Sequence, residues 1–137
     1  MNIIALHRNA VIGLAMVVSG CVSVSHNVDA SEMDGCYVID GGARLALRNG
    51  GLFAPQGTSP LAVAQYRLLP SGAFIWTAPE VLMAPNGSLS RQSSASHRLV
   101  PLQRETFWPI RTRVRLLFPK NDGFGFQILH KDPNLSC

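Results

Sequence analysis

The sequence predicts an all-β domain: a small antiparallel meander that closes, or nearly closes, into a β-barrel, or that folds as a β-sandwich. Three observations lead there. First, apolar runs are joined by glycine-containing turns in LALRNGGLF (45–53), RLLPSGAFIW (67–76), VLMAPNGSLS (81–90) and LLFPKNDGFGF (116–126). Asn-Gly, Pro-Ser-Gly and Asn-Asp-Gly supply the positive φ angles of tight hairpin turns. Second, RTRVRLLF (111–118) alternates, with Thr112, Val114, Leu116 and Phe118 on one face and Arg111, Arg113 and Arg115 on the other. A period of two with one apolar face describes a half-buried antiparallel strand. Third, nine prolines spread from Pro55 to Pro133 leave little room for a helix.

The strands follow in order. CYVID (36–40), ARLALR (43–48) and LFA (52–54) come first, the last two around Asn49-Gly50. AVAQYRLL (62–69) is the best helix candidate of the chain, but it ranks below a strand because AFIWT (73–77) follows across Pro70-Ser71-Gly72. EVLMA (80–84), HRLVPL (97–102), RTRVRLLF (111–118) and FGFQILH (124–130) complete the set. Hairpin order through so many short strands implies a meander with few exposed edges. A two-sheet sandwich satisfies the same pattern.

The N-terminus has a different grammar. MNIIALHRN carries Arg8 and no acid, and AVIGLAMVVSG (10–20) is uncharged and made of small and aliphatic residues. A basic start, a short apolar run and small residues before a cut describe a secretory signal. The run falls short of the roughly 20 residues that a spanning helix needs. Its end, Val18-Ser19-Gly20-Cys21, resembles the lipobox of bacterial lipoprotein precursors. That resemblance implies diacylglyceryl transfer to the Cys21 thiol, cleavage before Cys21 and acylation of the new amino group. Two or more acyl chains anchor stably, since each buried CH₂ contributes about 0.8 kcal/mol. In such proteins an aspartate after the cysteine marks inner-membrane retention. Val22 and Ser23 stand here instead, which points to the periplasmic face of the outer membrane.

The expected organisation is therefore a signal peptide over 1–20, a lipidated Cys21 with a flexible tether to residue 34, and one β domain over 35–137. Of three cysteines, Cys36 and Cys137 then remain. An oxidising envelope allows them to pair; the alternative is a buried free Cys36 and an exposed Cys137. A bridge would suit a barrel whose first and last strands are neighbours. Strand order and turns loosely resemble the small lipocalin-like barrels of envelope lipoproteins, a resemblance of architecture alone.

Charge is uneven. Residues 22–90 carry a net −2, residues 91–120 a net +6, and residues 121–137 a net −1. The positive segment holds Arg98, Arg104, Arg111, Arg113 and Arg115, the candidate residues for binding an anionic partner. Guanidinium groups pair bidentately with phosphate or carboxylate, so lipopolysaccharide, phospholipid headgroups, peptidoglycan or an envelope protein are the expected partners. A solvated face that blunts an edge explains the same stripe. Nucleic acid is not expected: Phe107 and Trp108 would allow stacking, but no nucleic-acid module is legible.

No catalytic or metal constellation emerges, and no cofactor is expected. Ser94, Ser96 and His97 are adjacent in SRQSSASHR, but no nucleophile motif surrounds them. His26, His97 and His130 lack ligand-spaced companions. The functional expectation is a non-enzymatic accessory or interaction lipoprotein. The alternatives are a lipocalin-like carrier, with aromatics such as Trp76 and Phe118 lining a cavity, or an enzyme inhibitor.

Overall fold

The computed structural model describes residues 22–39, 42, 44–108 and 111–137. The signal segment and Cys21 lie outside the described residues. So do Asp40 and Ala43, at the ends of two expected strands.

Eleven strands are formed among the described residues: β1 (Val22–Ser25), β2 (Gly35–Val38), β3 (Arg44–Arg48), β4 (Gly51–Phe53), β5 (Ala62–Leu69), β6 (Gly72–Ala78), β7 (Val81–Met83), β8 (Leu89–Arg91), β9 (Arg98–Phe107), β10 (Arg111–Pro119) and β11 (Phe126–Asp132). Eight of them, β2 to β6 and β9 to β11, pair antiparallel in chain order and close through β11 and β2. The result is an up-and-down barrel, as the meander pattern predicts; a sandwich would leave two separate sheets. Closure sets His130 opposite Val38 and Asp132 opposite Cys36. Cys137 continues past that seam and is joined to Cys36 by a disulfide, with Cα atoms 5.8 Å apart.

Local chemistry makes these hairpins. Arg48 pairs with Gly51, leaving Asn49 and Gly50 as a two-residue turn with φ of 50° and 73°. Positive φ at both positions is what an Asn-Gly turn tolerates and most residues resist. Alternation then fills the barrel. Leu45, Leu47, Leu52, Ile75, Leu102, Leu116, Phe118 and Leu129 are buried on the inner face. Each such Leu, Ile or Phe contributes about 2 kcal/mol by leaving water. The barrel is therefore filled by its own side chains, as expected for eight strands.

The expected tether is overturned. Val22–Ser25 is a strand, paired with Arg104–Phe107 of β9. The reason is an open edge: β6 covers β9 only along Arg98–Leu102, and unpaired strand edges recruit partners. From Ser25 the chain crosses one mouth of the barrel, where Val28 and Met33 join the core and Ala30–Glu32 form a single 3₁₀ turn. The hydroxyls of Tyr66 and Tyr37 donate to the carbonyls of Val28 and Met33. Gly72 must lack a side chain here, because a Cβ would lie 2.6 Å from His26. The folded unit accordingly reaches back at least to Val22 rather than starting near Gly35. At the opposite mouth the β7–β8 hairpin inserts Val81 and Met83, and Met83 bridges to Lys120.

Candidate functional site

On the outer face of β9 and β10, Gln103, Glu105 and Phe107 stand opposite Arg115, Arg113 and Arg111. On the other side of Arg115 is His130 of β11. Glu105 is only 8% exposed, a position a carboxylate holds only when its oxygens are satisfied. It accepts hydrogen bonds from Arg113 Nε at 2.9 Å and Arg115 Nη1 at 3.2 Å, and pairs with His130 Nε2 at 3.1 Å. Arg115 Nε also donates to Gln103 Oε1 at 3.0 Å, and Gln103 Nε2 reaches His26 Nδ1 at 3.2 Å. The network thus runs from the segment that closes the mouth to the seam of β10 and β11.

Charge states follow from these contacts. Burial alone would raise the Glu105 carboxyl, but the Arg113 hydrogen bond, with the charges of Arg113, Arg115 and His130, outweighs it and holds the group below the ordinary carboxylate value. Burial, and then the Arg113 charge, push the His130 imidazole below its ordinary value, and Glu105 offsets this incompletely. At neutral pH His130 is therefore uncharged and donates Nε2–H to Glu105.

The stripe is thus placed on the outer face, as the alternation predicts, but it is folded down onto a carboxylate. The Arg115 side chain is 15% exposed and that of Arg113 is 44% exposed, with its guanidinium 4.8 Å from the Phe107 ring. Arg98 and Arg104 are not brought to this stripe. They pair with Glu80 and Glu32 at the two mouths. Arg111 is exposed and makes no ion pair among the described residues.

Beyond this network the seam opens. The β10–β11 ladder runs from Arg115–His130 to Pro119–Phe126 and no further toward Arg111. The diverging strand ends frame a cavity of about 760 Å³ lined by Phe107, Arg111, Thr112, Arg113, His130 and Lys131, among others. The Lys131 side chain turns to the inner face with its partner Tyr37, and its Nζ donates to the Glu32 carbonyl at 2.8 Å, in the segment over the mouth. Asp132 is the single carboxylate of the lining, and of the two outer-face arginines there Arg113 is already paired with Glu105, so Arg111 is the guanidinium left to meet an anion. Such a slot can take a phosphate or carboxylate group through charge-assisted hydrogen bonds.

Glu105, Gln103 and His130 escaped the sequence reading as site residues. A signal was present: Gln103 and Glu105 share the two-residue period of the arginines across a short turn. Trp108-Pro109 obscured it, because the expected strand stopped at Leu102 whereas β9 continues to Phe107. Elsewhere, the Ser96 hydroxyl donates to the Ser93 carbonyl and accepts from the Glu80 amide, and the His97 ring lies 6.2 Å from that of Trp76. Among the described residues no group of three or more His, Cys, Asp or Glu could hold a metal ion, and no helix is long and apolar enough to cross a membrane.

No protein-family model matches the chain, and neither a curated protein nor a solved structure matches it significantly.

Proposed function

We propose that this protein is a membrane-anchored lipoprotein of the bacterial cell envelope, held by acyl chains on Cys21. Its barrel serves as a non-catalytic module that binds an anionic envelope component. The observation that carries the reading is the slot, where the outer-face side chains Arg111 and Arg113 line one cavity with Asp132 as the only carboxylate of the lining. The interior supports a surface role over a carrier role, since Tyr37, Phe118 and the inner leucines are fully buried within it. The lipobox supports the anchor, and an envelope location accords with the Cys36–Cys137 bridge.

Co-sedimentation of the purified protein with lipopolysaccharide, anionic vesicles and peptidoglycan, at low and high salt, tests the binding half. Binding is expected to weaken steeply with salt, because exposed charges are screened, and to weaken several-fold in Arg111→Ala. Binding that responds neither to salt nor to that substitution would sink the proposal. The anchor is tested by intact mass of the membrane-extracted protein, which should begin at Cys21 and carry two or three acyl chains.

A further inference from the structure

The pairing of β1 fixes where an N-terminal anchor leaves the fold. Val22 lies opposite Phe107, and residue 21 is one peptide bond away, about 3.8 Å between Cα atoms. An anchor on Cys21 would have no slack chain between it and the barrel, and would hold the corner beside Phe107 and Trp108 at the membrane.

That corner has the composition of an interfacial surface. Val22, Val24 and Trp108 are 50%, 40% and 67% exposed. Val22 and Val24 lie on the same face as Phe107 and Glu105, their partners in the ladder. Arg111 and the half-exposed Arg113 stand next to them across the turn, at the entrance of the slot. Tryptophan settles at the headgroup level of bilayers, and basic side chains near an anionic leaflet gain attraction to it. Attachment point, exposed tryptophan and unsaturated positive charge thus coincide at one end of β10. The other end carries a different exposed aromatic, Phe124, which is 81% exposed. The nine residues of β10 separate the two ends, a span of about 26 Å at the usual strand rise.

We infer that the barrel docks directly on the membrane that anchors it, with Trp108 at the headgroup level and an anionic phospholipid headgroup in the slot beside Arg111 and Arg113. This rests on the lipoprotein reading above and deepens it. The protein is not a module reaching away from the bilayer on a tether; its basic site faces the lipid to which it is attached.

The chain has two tryptophans, which makes a direct test available. The full chain carrying Trp76→Phe is purified from bacterial membranes, checked by intact mass, and reconstituted in zwitterionic or phosphatidylglycerol-containing vesicles with brominated acyl chains. Trp108 emission is expected to shift to the blue and be quenched, more strongly in the anionic vesicles. The reciprocal Trp108→Phe protein, reporting from Trp76, is expected to show neither effect. Adding Arg111→Ser should lower the ratio of docked to undocked protein about fivefold, the effect of one basic side chain near an anionic surface. An acylated protein whose Trp108 is no more quenched than Trp76 overturns the docking geometry and leaves the lipoprotein reading intact. Equal quenching in both vesicle types overturns the assignment of the slot to an anionic headgroup. A chain without acyl groups on Cys21 overturns the lipoprotein reading and this inference with it.

Discussion

Glu105 and Glu80 both hold arginines of the basic segment, but they do so in different surroundings. Glu80 serves Arg98 alone at one mouth, and the Arg98 side chain is 41% exposed. Glu32 serves Arg104 in the same way at the other mouth, with both side chains about one-third exposed. Glu105 lies beneath Arg113, Arg115 and His130, with a side chain 10% exposed. The mouths are closed by apolar side chains, Val28 and Met33 at one and Val81 and Met83 at the other, and their ion pairs decorate that closure. On the outer face the carboxylate is the closure. Two guanidinium groups pack together there only because one anion lies between them.

The largest effect should therefore follow removal of the shared anion. Glu105→Ala is expected to cost about 3 kcal/mol, because breaking a covered charge cluster strands its partners; urea denaturation measures it. Met33→Ala, which opens the mouth without touching a charge, is expected to cost about 2 kcal/mol by the same measurement. Acid should probe the cluster selectively. His130 has a lowered folded value, so the unfolded chain takes its proton first, and stability declines as pH falls below about 6.5. Glu105 is also lowered, so its contribution is present above about 4.5 and is lost as pH falls through its folded value. In His130→Asn the first of these declines should shrink while the second persists, as read by thermal unfolding across pH. The smallest effect is expected for Glu80→Ala, at most about 1 kcal/mol, as for a partly exposed pair. If Glu80→Ala proved as costly as Glu105→Ala, the contrast between mouth and outer face would be wrong.

The barrel was legible because its strands obey period two and its turns carry Asn-Gly and Pro-Ser-Gly. Those signals are local, and local geometry decides hairpins. The inner face of β10 was read correctly for the same reason: Val114, Leu116 and Phe118 are buried as their alternation requires. The N-terminal strand was not legible. Val22-Ser23-Val24-Ser25 alternates, but its worth depends on a vacancy along β9 that only the closed sheet reveals. Val28 and Met33 are isolated apolar residues in a polar stretch, and no period marks them as a plug. The site was half legible. Composition located the arginines, while the carboxylate that gathers them and the divergence of β10 from β11 are products of long-range register.

The Cys36–Cys137 bridge has a mechanical consequence. It turns the chain from Cys36 to Cys137 into a covalently closed loop, spanning a sequence separation of 101. Tension applied through the N-terminus can extract only the stretch from Val22 to Gly35: first the β1–β9 ladder, then the segment over the mouth. Beyond that point pulling meets a ring that cannot be threaded open. A barrel pulled from the N-terminal side of Val22 would therefore lengthen by one short leash and stop, with the slot of β10 and β11 still intact.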